Sequence, residues 1–136
     1  MELGQIPGIE ITGTVPDVRP FYREAFASVV PLRVGGGSRL KILEAMAARV
    51  PIVASTLGAE GLGVEDGQNI LIRDEPDEMS SALLELAENA QKCQAIIGQA
   101  HQLVVSRYDW SAIGTRLRGI CNELLETKAT LEKSRN

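Results

Sequence analysis

Apolar runs of strand length alternate along this chain with segments of helical period, and that alternation restricts the fold more than any composition figure. Residues 51–55 (PIVAS) form the clearest run, whose unbroken apolar character suits a strand in a sheet covered on both faces. Residues 8–13 (GIEITG) read as a short alternating strand, 27–32 (ASVVPL) as an apolar strand closed by Pro31, and 69–72 (NILI) as a further strand. Between the first two, residues 17–25 predict a short helix capped by Asp17 and confined by Pro20 to about one or two turns. Ser38 is expected to cap a helix over 39–48 (RLKILEAMAA). Residues 56–67, with Gly58, Gly61, Gly63 and Gly67, read as a loop. Three helices follow: 76–88 with proline in the first turn, 91–108, and 111–128 behind an Asp109 cap. The charged residues 129–136 are expected to fray.

Strands and helices in this order predict a doubly wound α/β domain on a parallel sheet, with about four strands plus C-terminal helices. No repeat or internal linker divides the 136 residues, so a single domain over 1–136 is expected. Such a sheet commonly carries about five or six strands. The shortfall reads as a missing opening βα unit, and the domain as truncated at its N-terminus.

The net charge of −4 offers no broad basic surface, which argues against nucleic acid or an anionic membrane as partner. No apolar run approaches the roughly 20 residues of a membrane span, and the start MELGQIPGIE lacks the blocks of a signal peptide. A peripheral membrane association of a longer parent stays open. Cys93 and Cys121 are too few for a disulfide framework or a metal cluster and read as small buried hydrophobes, so a cytoplasmic protein without metal or other cofactor is expected. His101 is the only histidine, which leaves a Ser-His-Asp or Cys-His set little to work with.

Gly35, Gly36 and Gly37 stand between a strand and the start of a helix, where open α/β sheets bind ligands. Glycines admit positive φ and close approach of a ligand. The free amides at Ser38, Arg39 and Leu40, the helix dipole and the charge of Arg39 together favour an anion such as a phosphate or diphosphate. The glycines also suit a plain tight turn, and the pattern is neither the GK[ST] phosphate loop nor the GxGxxG fingerprint. Glu44 lies roughly 9 Å further along the axis, among Ile42, Leu43, Ala45, Met46, Ala47 and Ala48, in a helix read as largely buried. A carboxylate there needs a partner. Lys41 is one; two vicinal hydroxyls, as on a ribose, are another, and the residues alone leave both open.

The run GGGSRLKILEAMAARVPIVASTLGAEGL resembles the core motif of the retaining glycosyltransferases with the GT-B fold. Residues 43–47 (LEAMA) and 51–55 (PIVAS) are similar to the family's LEAMA and PVVAS. The upstream GIEITGTVPDVRPFYREAFASVVPL and the downstream YDWSAIGTRL (108–117) resemble its flanking segments, so the likeness covers nearly the whole chain in order. It implies the C-terminal, donor-binding half of a two-domain enzyme built from Rossmann-like halves, whose N-terminal acceptor domain lies outside this chain.

By that resemblance the chain is part of a hexosyl-type transferase that uses a nucleoside diphosphate sugar. Gly36, Gly37, Ser38, Arg39 and Leu40 would bind the donor's phosphate and sugar, and Glu44, which matches the second of the family's paired glutamates, its ribose. The first of that pair falls on Gly36, a departure that removes one carboxylate, and no catalytic base is assigned. Arg49 stands where the family has glycine, which implies a looser turn before Pro51. Glu60, Glu65 and Asp66 read as solvated loop acids, and Trp110 as a staple for the last helix. Two other readings are a non-catalytic nucleotide-binding or protein-interaction module of the same shape and a sugar-nucleotide epimerase or phosphorylase relative; the constellations that the latter two need are not visible.

Overall fold

Three strands pair in parallel in the order β1-β2-β3: β1 (Ser28–Val30), β2 (Ile52–Ala54) and β3 (Leu71–Ile72). The structure, a computed structural model, describes residues 3–37 and 39–133. Its helices are α1 (Arg19–Glu24), α2 (Leu40–Ala47), α3 (Thr56–Ala59), α4 (Pro76–Glu88), α5 (Ala90–Arg107) and α6 (Trp110–Lys133), with a 3₁₀ turn at Leu3–Gln5. Val29 pairs with Val53, and Val53 in turn with Leu71, so β2 is the central strand.

All three residues of β2 are buried. Ile52 and Ala54 face one cluster with Ile42, Met46, Val50 and Ala100, while Val53 faces a second with Leu71, Met79, Leu86 and Ile96. The alternation of side chains across a strand sends neighbours to opposite faces, and both faces are covered, which is why Ile52, Val53 and Ala54 are all apolar. α5 closes both clusters, with Cys93 and Ile96 in one and Ala100 in the other.

The α/β class and parallel sheet agree with the sequence, but residues 8–13 do not form a strand. A strand needs a ladder partner for its backbone groups. No strand pairs with the outer edge of β1 among the described residues, Ile9 and Ile11 stay exposed, and Gly8 and Gly13 bend the chain at φ 87° and 64°. The sheet therefore has three strands, not four, with Ile70 joining by an isolated bridge to Asp66. Within the expected loop 56–67 the chain instead makes one helical turn, α3, because the Ser55 hydroxyl accepts the Gly58 amide at 3.0 Å. α1 is capped differently as well: Val18 holds the cap position, and Asp17 accepts the Arg19 amide at 2.9 Å from one residue further out.

α2 ends in a tight left-handed turn despite lacking glycine. Val50 donates to the Ala45 carbonyl at 2.9 Å and Arg49 to that of Met46 at 3.1 Å, while Arg49 sits at φ 62°. These are the two bonds of a Schellman ending, and the turn before Pro51 is not loosened. The burial of Val50 fixes it.

Asp109 caps α6, accepting the Ser111 amide at 2.8 Å. Trp110, expected to staple that helix, is 85% exposed. The staple is Tyr108: it packs on the first core cluster, and its hydroxyl donates to the Leu62 carbonyl at 2.8 Å. Tyr108 joins Ala100, Leu103 and Val104 of α5 in that cluster, whereas Trp110 begins α6 outside it. α6 packs chiefly on α5. Cys93 is buried as expected, but Cys121, on α6, is exposed. Of the tail 129–136, residues 134–136 lie outside the described residues.

Candidate functional site

Parallel strands deliver their following residues to one edge of the sheet. Leu32 and Arg33 follow β1, Ser55 and Thr56 follow β2, and Asp74 and Glu75 come shortly after β3; together with Leu57 and Glu60 they line a groove of 620 Å³. The buried Ser55 ties this edge together, its hydroxyl donating to the Leu32 carbonyl at 2.6 Å. Asp74 holds the start of α3, accepting the Thr56 amide and the Thr56 hydroxyl, each at 2.8 Å. Those two bonds keep its carboxyl below the ordinary value of 3.8.

The glycine segment lies between β1 and α2. Gly35 and Gly37 take φ 129° and 102°, and among the described residues, chain neighbours aside, nothing stands within 4 Å of where a Cβ would be on Gly35, Gly36 or Gly37. The space beside the backbone is open, and the left-handed geometry explains two of the three glycines. Ser38, expected as the helix cap, lies outside the described residues. The cap position belongs to Arg39, and among the described residues no side chain caps the start of α2. Leu40, the first residue of α2, is exposed.

Arg39 does not stand out into solvent. Its side chain is 7% exposed, with Nη1 donating to the Gly37 carbonyl at 3.1 Å and Nη2 to Glu60 Oε2 at 3.5 Å, while Nε has no hydrogen-bond partner among the described residues. Glu60, read from the sequence as a solvated loop acid, is thus the acid that meets the guanidinium. Asp66 is likewise more than a solvated acid, since it accepts the Ile72 amide at 2.8 Å and pairs with Arg73 at 3.1 Å.

Glu44 is exposed, not buried in apolar surroundings. α2 buries Ile42, Ala45 and Met46 and leaves Lys41, Glu44 and Ala48 on the outside, so the apolar residues around Glu44 in sequence are not all around it in space. The carboxylate needs no compensating partner, and no ion pair joins it to Lys41 among the described residues. Glu44 instead lines a second groove, of 500 Å³, with Val18, Arg19, Tyr22, Arg23, Ala47 and Ala48. The Tyr22 hydroxyl donates to the Lys41 carbonyl at 3.1 Å. Burial, then the negative charge of Glu44, push the Tyr22 phenol above its ordinary value of 10.0.

Gly37, Arg39 and Glu44 therefore follow one another from the carboxyl end of β1 along α2. Arg33, Thr56, Glu60, Asp74 and Glu75 were not singled out as ligand-binding residues by motif. They could have been found from topology: each falls within a few residues of a strand's carboxyl end, where an open α/β sheet forms its crevice. Among the described residues no three His, Cys, Asp or Glu side chains gather as metal ligands, and no helix is long and apolar enough to cross a membrane.

Residues 1–89 match the model of the family described as glycosyl transferases group 1. The chain belongs to that family. Among curated proteins, an uncharacterized glycosyltransferase of Methanocaldococcus jannaschii is 28% identical over 120 residues, which cover 85% of this chain and 34% of that protein. Among solved structures, the C-terminal domain of LpcC, a glycosyl transferase group 1 family protein of Francisella tularensis, matches with a TM-score of 0.65 at 22% identity, over 72% of this chain and 52% of that one. This group 1 chain thus shares the fold of a group 1 C-terminal domain and spans about a third of the length of its curated relative.

Proposed function

We propose that this group 1 chain is the donor-binding half of a glycosyltransferase, which moves a glycosyl group from a nucleoside diphosphate sugar to an acceptor. The observation that carries the reading is the arrangement along α2. A helix start without a side-chain cap among the described residues lies behind left-handed glycines, and Glu44 faces a groove further along the same helix. Glu44 lies four positions after Leu40, so about 6 Å along the axis at 1.5 Å per residue, a separation suited to a phosphate and the ribose bonded to it.

In this reading the amides around Gly36, Gly37, Ser38, Arg39 and Leu40 meet the diphosphate and sugar, drawn by free N–H groups and the positive end of the helix. Glu44 accepts hydrogen bonds from the ribose hydroxyls. Val18, Ala47 and Ala48 give the second groove an apolar wall for the nucleoside. No metal enters this reading, because the helix start and glycine amides supply the donors. Transfer with retention, a hexosyl donor and a cytoplasmic location belong to this proposal through the resemblance of the motif. An acceptor domain elsewhere in the parent protein completes the cleft, since positioning of two reactants supplies much of the rate in such transfers.

Titration of the chain with UDP, GDP and ADP, read by protein NMR, tests the assignment. At least one nucleotide shifts the Gly37 and Leu40 amides, and Glu44→Ala weakens that nucleotide's binding while leaving the fold intact. Unchanged affinity in Glu44→Ala removes the ribose role. The 136-residue chain by itself is expected to show no transfer to any acceptor.

A further inference from the structure

Arg39 and Glu60 are separated by 21 positions and meet at the start of α2, where the buried cation carries more hydrogen-bonding capacity than it uses. The Arg39 side chain is 7% exposed and that of Glu60 71%, so the acid reaches in from the surface to a guanidinium that is already enclosed. An enclosed cation without a counter-charge is costly. Glu60 supplies that charge from the end of α3, and the guanidinium passes the constraint on to the Gly37 carbonyl at 3.1 Å. Gly37 at φ 102° and Arg39 at φ −88°, ψ 42° are the bends that turn the backbone from the glycine segment into the helix.

We propose that Glu60 is a positioning residue: it holds the Arg39 fork, and the fork holds the Gly37 peptide in the bend that keeps the start of α2 open to an anion. The inference rests on the donor-binding reading above and adds a residue to it. It also changes the role of Arg39. With its charge paired to Glu60, Arg39 acts through the geometry of its planar fork and its bond to Gly37, while Nε–H is a buried donor without a partner among the described residues, beside the helix start. Lysine carries the same charge but no fork.

The sign of one substitution separates positioning from charge. Removing an acid near an anion site strengthens binding if charge alone matters. If Glu60 positions Arg39, Glu60→Ala weakens it instead, by about 3- to 5-fold for a long pair whose acid is exposed. The experiment titrates the chain with UDP, GDP and ADP by protein NMR and follows the Gly37 amide and the Arg39 Nε–H resonance. Glu60→Gln keeps an acceptor oxygen though not the counter-charge, and loses less affinity than Glu60→Ala; Arg39→Lys loses as much as Arg39→Ala. Glu60 is exposed and Arg39→Lys retains most of the stem, and the thermal midpoint of each variant verifies folding. Glu60→Ala binding as tightly as wild type or tighter, or Arg39→Lys retaining full affinity, overturns the positioning role and leaves the donor reading standing. Wild-type chain that binds none of the three nucleotides overturns the donor reading, and this inference falls with it.

Discussion

Tyr22 donates its hydroxyl to the Lys41 carbonyl at 3.1 Å, tying α1 to the outer face of α2 beside Glu44. The bond spans 19 positions and closes one side of the groove assigned to the nucleoside. Tyr22→Phe removes it and lowers stability by about 0.5–1.5 kcal/mol, as for a single intramolecular hydrogen bond. Chemical denaturation checks the magnitude. The pH dependence has a definite sign: the folded phenol titrates above its ordinary value of 10.0, so its contribution is complete below that pH and is lost as pH rises through the folded value. Wild-type stability should fall more steeply above about pH 10 than that of Tyr22→Phe.

Acid acts on other groups. Asp74 and Asp109 both titrate below the ordinary 3.8 because each accepts hydrogen bonds at a helix start, Asp74 from Thr56 and Asp109 from Ser111. A depressed carboxyl contributes stability above its unfolded pKa, which is lost as pH falls through the folded value. Melting midpoints should therefore drop between about pH 5 and pH 2, and Asp74→Asn should flatten that drop. An acid limb of equal depth in Asp74→Asn would show that the carboxylate is not what holds α3.

Arg49 occupies a left-handed position at φ 62°. For an L-residue with a Cβ that conformation costs about 1–2 kcal/mol, of which glycine returns part as entropy of the unfolded chain. Arg49→Gly should stabilise the domain by about 0.5–1 kcal/mol. The check is a two-state unfolding curve with unchanged slope and a raised midpoint.

Gly58 is the opposite case. A Cβ there would lie 2.8 Å from the Val30 carbonyl oxygen and 3.1 Å from the Ser55 hydroxyl. Neither neighbour is the free end of a flexible side chain, so Gly58→Ala should cost about 1–3 kcal/mol and displace α3 at the edge of the strand-end groove. The thermal midpoint records the cost.

Amide exchange should rank the elements. β2 lies at the centre of the sheet with every residue buried, whereas α6 packs chiefly on α5 and leaves Trp110, Leu117, Ile120 and Leu124 exposed. Local opening follows such differences in packing, so the amides of α6 should exchange well before those of β2. Equal protection of the two would mean that α6 opens only with the whole domain.

The parts legible in the sequence were those in which local chemistry and tertiary packing agree. PIVAS announced a strand covered on both faces, Pro76 opened α4 where expected, Asp109 capped the last helix, and the LEAMA segment carried the family resemblance. Other parts were decided by what each segment meets. Residues 8–13 alternate as a strand would and find no ladder partner among the described residues, and Trp110 has the composition of a staple but stands exposed at the start of α6. Glu44 looks enclosed when its neighbours are read in order and is exposed once the helix is wound.

The sequence by itself determined the order of most elements, the parallel α/β class and the place of the glycine segment before α2, because these follow from periodicity and backbone preference within about 20 residues. Only the tertiary structure decided that Arg39 is enclosed with Glu60, that Glu44 shares a groove with Tyr22, and that the residues after three strands line one edge. Those relations join positions far apart in the chain, and no local rule fixes which distant segments pack together.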